Sequence, residues 1–363
     1  MKYHVIRPWE SRLFRQCRRA WDFSARERQD YELAEPLRVV DFDEAIHEAM
    51  DVYYFPGMWD WNRAIVRPVA VQGFVKSMRK QRAAYAERRE LTPEQEQQWE
   101  QQLELGTEML QRYFSWALHA DRFTSVQVAT LFDVTIPNPD RPQDGLLTPD
   151  GRGIWFRVRL DTVIVDEHEN SWLVEHRLVD EWGELDELVL DEQSLTRAWA
   201  WELAFLGKMS GTIINELRMP PAGVELGPAD AMDVRALQGP SGLIKQEYND
   251  HVRRTQIPRG SAELADRGLA VAYEVREMTD PGLSLYPNPS PDKCGSCHYR
   301  RPCQAMSAGG DPAVILESAY RKRTVEDFEP GKLGSIWGYM PETPRTADYR
   351  SPARGDGDEA AAG

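Results

Sequence analysis

Two acidic residues in apolar surroundings, Asp161 and Glu175, are the strongest candidates for chemistry in this sequence. They flank a polar turn centred on His168, and if the two adjoining strands pair symmetrically, the acids face each other with Cβ atoms about 5 Å apart. Carboxylates that close repel one another unless positive charge lies between them, and hard divalent cations take oxygen ligands. The spacing predicts a cation site, against the plainer interpretation of an edge hairpin with solvated acids.

A histidine on an earlier segment could complete such a site. Residues 41–55 have helical spacing, and His47 lies beside their apolar face. A neutral imidazole is a common metal ligand, although a histidine in this position is more often structural. Gln193 begins a further helix over 191–206, and it is a candidate for orienting a substrate strand or the attacking water.

Four cysteines form a second constellation. Cys294, Cys297 and Cys303 fall within ten residues, and Cys17 lies near the start of the sequence. This usage is sparse for a disulfide scaffold and typical of a metal or cluster site. The interpretations are a 4Fe–4S cluster held by four thiolates, a four-cysteine zinc site and unliganded thiols, and the cluster is favoured.

Several segments resemble the RecB-like branch of the PD-(D/E)XK nucleases. AIHEAMDVYY resembles that family's histidine helix, RLDTVIVDEHENSWLVEHR its two core strands, and DEQSLTRAWAWELAFLG with SGTIINELR its glutamine helix and next strand. The resemblance implies an α/β fold in which helices flank a mixed sheet. It also implies that His47, Asp161 and Glu175 bind Mg²⁺ or Mn²⁺, with His176 as a further candidate ligand. The implied activity is metal-assisted cleavage of DNA, at ends or in single strands, and exonuclease action is favoured.

The split of one early and three late cysteines resembles iron–sulfur nucleases of the same superfamily. These are the CRISPR-associated exonucleases and exonuclease-like proteins of actinobacteria and their phages. SRLFRQCRRAW and YPNPSPDKCGSCHYRRPCQAMSAGGDP carry this resemblance, which covers most of residues 9–325 and is weak over 64–118. It implies a 4Fe–4S cluster that joins the chain ends, and a role in recombination, repair, or phage or CRISPR-type processing.

Three positions depart from the family pattern. Arg177 stands where the family has lysine, Arg197 where it has tyrosine, and Val158 where it has glycine. Arginine can hold a phosphate through two parallel hydrogen bonds, but it does not lose its proton and so cannot act as a base. The alternative function is therefore a catalytically degenerate DNA-binding or adaptor protein that retains the nuclease fold. A cluster-based redox or sensor protein is a third hypothesis.

Composition narrows the class of protein. The 363 residues carry a net charge of −15, which disfavours a chain-wide basic surface but leaves room for a local basic groove. The sequence contains no run of 18 apolar residues and no signal-peptide core, so we expect a cytoplasmic protein without a membrane span. It contains no Walker-type phosphate loop, so any motor would come from a helicase or another recombination or CRISPR-type partner protein.

Periodicity and turn residues predict the order of elements. Helices are predicted over 9–30, 41–55, 64–90, 93–118, 191–206, 241–278 and 311–324, and strands over 125–136, 154–165, 171–179 and 210–217. Residues 283–310 should be irregular, and a disordered tail should begin near 342. The predicted divisions are an N-terminal helix at the cluster, a histidine-helix region, a helical insertion, a nuclease core, a C-terminal cluster segment and a tail: 1–30, 31–63, 64–120, 121–280, 281–325 and 326–363.

Overall fold

Helices and strands are interspersed along the described part of the chain, which in this computed structural model comprises residues 3–35, 38–220 and 233–323. The helices are α1 Pro8–Gln16, α2 Arg18–Ser24, α3 Phe42–Tyr53, α4 Arg63–Ala86, α5 Pro93–Ala120, α6 Leu185–Val189, α7 Glu192–Phe205, α8 Ser261–Met278, α9 Pro291–Gly295, α10 Arg300–Ser307 and α11 Ala313–Ala319. The strands are β1 His4–Ile6, β2 Tyr31–Leu33, β3 Phe123–Val128, β4 Leu131–Thr135, β5 Pro137–Asn138, β6 Arg141–Gly145, β7 Ile154–Arg159, β8 Thr162–Asp166, β9 Ser171–Val179, β10 Met209–Arg218, β11 Asp233–Gly239, β12 Gly242–Tyr248, β13 Val252–Pro258 and β14 Tyr320–Lys322. None of the described helices is long and apolar enough to cross a membrane.

A seven-stranded mixed sheet forms the centre of the molecule. Its order is β11-β12-β13-β10-β9-β8-β3, with β9 and β10 parallel and the other neighbours antiparallel. Helices α7 and α8 pack on one face of the sheet, and α3, α4 and α5 build a second core on the other. The expected mixed α/β sheet flanked by helices is thus confirmed.

Helices α4 and α5 hold the histidine helix α3 in place. The predicted capping box is present, because the Thr92 side chain accepts from the Gln95 backbone while the Gln95 side chain accepts from the Thr92 backbone. Close approach of the three helices requires Gly106, since a Cβ there would lie 2.2 Å from Phe74 Cζ and 2.8 Å from Phe42 Cε2. The segment predicted as an insertion therefore forms one core with α3.

Two predicted strands are each divided between sheets. The strand predicted over 125–136 is β3 and β4, separated at Ala129, whose φ of 47° turns the backbone. The strand predicted over 154–165 is β7 and β8, separated at Leu160 and Asp161. Strands β4 and β7 pair with each other and with β1 in a three-stranded sheet, whereas β3 and β8 lie in the main sheet.

Other predicted boundaries were wrong because local pattern was ambiguous. The helix predicted over 241–278 is a hairpin, β12 and β13, followed by α8. The helix predicted over 9–30 breaks at Cys17, which has extended backbone angles between α1 and α2. The segment 283–310 contains the short helices α9 and α10, and the last predicted helix is α11 followed by β14. The predicted tail lies outside the described residues.

The two ends of the described chain are joined. Strand β14 pairs with β2, with Tyr320 opposite Leu33. Nearby, Tyr299 Oη donates to the Tyr31 carbonyl, and Arg323 Nη1 donates to the Ser24 carbonyl at 2.6 Å. A small apolar cluster fills the space between them, formed by Ala20, Phe23, Tyr299, Leu316 and Tyr320.

Candidate functional site

The two predicted acids occupy adjoining places at the middle of the main sheet. In the β8–β9 ladder Thr162 lies opposite Val174, so continuing the register by one residue sets Asp161 opposite Glu175. This is the register that a symmetric hairpin about His168 predicts. The break between β7 and β8 exposes Asp161 to α3 rather than continuing the strand. Both acids are buried, at 6% and 1% exposure, so each needs a compensating charge.

Two arginines supply that charge to Glu175. Arg197 Nη1 donates to Glu175 Oε1 at 2.9 Å, and Arg177 Nη2 donates to Oε2 at 2.7 Å. Arg177 also forms an ion pair with Asp191. With the Gln193 amide oriented so that its oxygen faces Arg197, this oxygen accepts from Nη1 and Nη2 of Arg197 at 3.1 and 3.0 Å. Each oxygen of Glu175 is therefore engaged by a guanidinium group.

Helix α7 positions these groups through its first turns. Asp191 is the N-cap, and its Oδ1 accepts from the backbone N–H groups of Gln193 and Ser194 at 2.8 and 3.1 Å. Arg197 lies one turn after Gln193 on the same face. Leu195 and Trp199 are buried in the core, so the polar side of the helix faces the acids while its apolar side fixes the helix to the sheet.

The negative charge of Asp161 is compensated mainly by His47 of α3 and Arg197 of α7. Its Oδ2 lies 3.6 Å from His47 Nε2 and accepts from the His176 backbone N–H at 3.3 Å. Burial opposes ionisation of Asp161, but the charges of Arg197 and His47 outweigh it, so the pKa of Asp161 lies well below its usual range. Burial likewise opposes protonation of His47, but contact with Asp161 raises the pKa of His47 to about 10.

Both ring nitrogens of His47 face backbone carbonyl oxygens. Its Nδ1 lies 2.9 Å from the Asp43 carbonyl oxygen and its Nε2 lies 3.0 Å from the His176 carbonyl oxygen. A ring that donates from both nitrogens carries a positive charge. To bind a metal through Nε2, His47 would have to lose that proton and its contact with the His176 carbonyl.

The side chain of His176 lies on the opposite face of the sheet from Glu175. It stacks on Tyr54 at 5.2 Å between ring centroids, and its Nδ1 lies 3.4 Å from Asn215 Nδ2. Its Nε2 is buried without a hydrogen-bond partner among the described residues, and burial lowers the pKa of His176 to about 3. The backbone of His176 contacts His47 and Asp161, and its ring lies edge-on to the ring of His47 at 6.4 Å between centroids.

A buried polar network surrounds that ring. Arg254 forms an ion pair with Asp121 at 2.7 Å and donates to Asn215 Oδ1 at 2.8 Å. Asn215 in turn donates to the Tyr113 hydroxyl at 2.9 Å. Sequence reasoning did not find this network, because its members are scattered along the chain and no local pattern joins them. The network supports β9 on the face of the sheet opposite Glu175.

The four cysteines gather where the chain ends meet. All four are free and partly buried. Burial is the main cause of a raised pKa at Cys297, and the other three cysteine thiols add to it. Arg19 Nη1 lies 3.6 Å from Cys303 Sγ. The break between α1 and α2 sets Cys17 at the same locus, next to the apolar cluster that also contacts Cys297.

The donor chemistry around Asp161 suits a hard divalent cation, since an imidazole nitrogen and two buried carboxylates adjoin one another. In the present arrangement, however, Glu175 is engaged by arginines. Throughout residues 3–35, 38–220 and 233–323, no three His, Cys, Asp or Glu side chains converge closely enough to hold a single metal ion. Comparison with protein-family models finds no match, and neither does comparison with curated proteins.

Proposed function

We propose that this chain is a DNA nuclease of the RecB-like PD-(D/E)XK class that depends on Mg²⁺ or Mn²⁺. One observation carries the proposal: Asp161 contacts His47 of α3, and the strand register sets it opposite Glu175, which pairs with Arg197 of α7. His47, Asp161 and Glu175 are the residue types that the resembled family carries in its histidine helix and its two core strands, and α7 resembles its glutamine helix.

His47, Asp161 and Glu175 would hold the cation, which when bound activates a water and stabilises charge on the scissile phosphate. Arg177 and Arg197 bind a backbone phosphate, since a guanidinium matches phosphate oxygens through parallel hydrogen bonds. Gln193 orients Arg197. The N–H and carbonyl of residue 176 keep Asp161 and His47 in register with each other.

Cleavage of end-labelled single- and double-stranded DNA by anaerobically purified protein tests this proposal. With Mn²⁺ or Mg²⁺ the wild type should cut, and Glu175→Ala should lose activity by about 100-fold or more because a cation ligand is gone. The matched control is Glu167→Ala, an exposed acid in the turn between the same two strands, which should cut as the wild type does. A Glu175→Ala variant that cuts at the wild-type rate would refute the assignment.

A second candidate is a DNA-binding or adaptor protein that no longer cuts. The pairing of both Glu175 oxygens with arginine favours it, because this satisfies the buried acid without a cation. In that case the wild type binds DNA in the presence of chelator and does not cleave it. Arg177→Lys, which restores the side chain that the resembled family has there, should then produce cleavage.

We also propose that Cys17, Cys294, Cys297 and Cys303 hold a 4Fe–4S cluster. Cys17 and Cys297 pack against the same apolar cluster, and burial raises the pKa of Cys297 while the thiols of Cys17, Cys294 and Cys303 all raise it further, which supports a shared site. Four cysteine thiolates are the usual ligands of such a cluster. Metal analysis should find about four irons per chain, and stoichiometric zinc without iron would overturn the assignment.

A further inference from the structure

Arg197 compensates both carboxylates of the candidate site. Its Nη1 donates to Glu175 at 2.9 Å, and, against the opposing effect of burial, its charge together with that of His47 lowers the pKa of Asp161. Only 19% of its side chain is exposed. A guanidinium group therefore already supplies the positive charge that the two opposed acids require.

Neither a divalent cation nor a DNA phosphate could bind here alone without disrupting a buried ion pair. A cation that took Glu175 would leave Arg197 without that ion pair and Arg177 with Asp191 alone, and it would add positive charge beside both arginines. A phosphate that took Arg197 would leave Glu175, which is 1% exposed, with one partner in place of two. A buried carboxylate that loses one of its partners is destabilised, because part of its charge is then uncompensated.

The two ligands together leave every charge compensated. When both ligands are bound, Arg197 faces the phosphate oxygens and Glu175 faces the cation. Each ligand therefore compensates the charge that the other ligand leaves unpaired. Binding free energies that depend on each other in this way are coupled reciprocally.

We propose that Arg197 couples cation binding to DNA binding by passing from Glu175 to a backbone phosphate. The site then takes up its cation only when DNA is present, which prevents a loaded metal centre from forming on the free protein. This inference rests on the proposed nuclease function.

Mn²⁺ titrations monitored by electron paramagnetic resonance test the coupling on the full chain, with and without a short single-stranded oligonucleotide whose linkages resist hydrolysis. In the wild type the oligonucleotide should tighten Mn²⁺ binding by about 5- to 150-fold. Arg197→Gln should bind Mn²⁺ more tightly than the wild type without DNA, and the oligonucleotide should add less than about 2-fold. Arg157→Gln is the matched control, because it removes an arginine that is paired with Asp133 on the three-stranded sheet, and it should retain wild-type coupling.

Equal Mn²⁺ affinity of the wild type with and without oligonucleotide would overturn the proposal, and so would wild-type coupling in Arg197→Gln. Arg197→Lys serves if the glutamine variant does not fold. Lysine keeps the charge but cannot bridge two groups with a planar fork, so its coupling should be intermediate. Cleavage assays on the same samples distinguish the nuclease function from the coupling through Arg197. If the oligonucleotide tightens Mn²⁺ binding but no DNA is cleaved, the coupling stands and the nuclease function is refuted. If DNA is cleaved but the oligonucleotide does not change Mn²⁺ binding, the nuclease function stands and the coupling is refuted.

Discussion

Arg254 anchors the polar network behind the candidate site, and its replacement by methionine should destabilise the protein strongly. The residue is 6% exposed, and the side chain of its partner Asp121 is 7% exposed. Its Nη2 lies 2.7 Å from Asp121 Oδ1, and its Nε donates to the fully buried Asn215. Methionine keeps an unbranched stem against Trp116 while removing the charge and all donors.

Two losses set the magnitude. A buried acid without its partner costs about 3–5 kcal/mol, and the Asn215 carbonyl without a donor costs about 1–3 kcal/mol. Because both losses occur in one network, they do not add fully. We expect a decrease of about 4 kcal/mol in the free energy of unfolding, a large part of the roughly 5–15 kcal/mol that stabilises a typical protein.

Urea unfolding of the full chain measures this decrease. Arg276→Met is the control, since its ion pair with Asp140 is exposed and should contribute about 0–1 kcal/mol. Adding Asp121→Asn to Arg254→Met should recover part of the loss, because no charge is then left unpaired. The loss should also shrink as the pH falls to about 3, where Asp121 of the variant is largely protonated in both the folded and the unfolded state. A loss below about 1 kcal/mol at neutral pH would refute the reasoning, since it would mean that Asp121 reaches solvent or another cation.

Two further predictions concern protonation and packing. In NMR titrations of the metal-free protein, His47 should titrate near pH 10 and His176 should stay neutral down to about pH 3. Because the folded-state pKa of His47 is raised, the contribution of His47 to stability is complete below about pH 6.5 and declines as the pH rises towards 10. A His47 midpoint near pH 6.5 would contradict the contact with Asp161. Gly106→Ala should lower the free energy of unfolding by about 1–3 kcal/mol through overpacking against Phe74, as read from thermal or urea unfolding, and an unchanged midpoint would show that α4 and α5 can separate without cost.

The candidate site was more predictable from sequence than the sheet that holds it. The register of Asp161 and Glu175 followed from a short symmetric hairpin, a local feature that turn residues mark. The division of 154–165 between two sheets was not visible, since apolar residues continue through Leu160 while the backbone bends. The hairpin of β12 and β13 was assigned to a helix because most of its residues are polar, including Arg253, Arg254 and Thr255, which the structure buries in β13.

The partners of the acids could not be predicted in the same way. Sequence reasoning noted Arg177 and Arg197 as departures from a family pattern, yet their pairing with opposite oxygens of Glu175 depends on where α7 lies over β9. Asp191 escaped notice altogether, although its place before a helix marks it as an N-cap and so as a fixed acid near Arg177. Arg254 and Asn215 lie on neighbouring strands whose pairing is set by tertiary structure.

The contacts between the early and late segments of the described chain can form only late in synthesis. Cys17 leaves the ribosome about 290 residues before Cys303, which at roughly 5–20 residues per second is a delay of roughly 15–60 s. During that time Ala20 and Phe23 lack the apolar partners that Tyr299 and Tyr320 later provide. The apolar surface of Ala20 and Phe23 therefore stays uncovered until Tyr299 and Tyr320 have been synthesised.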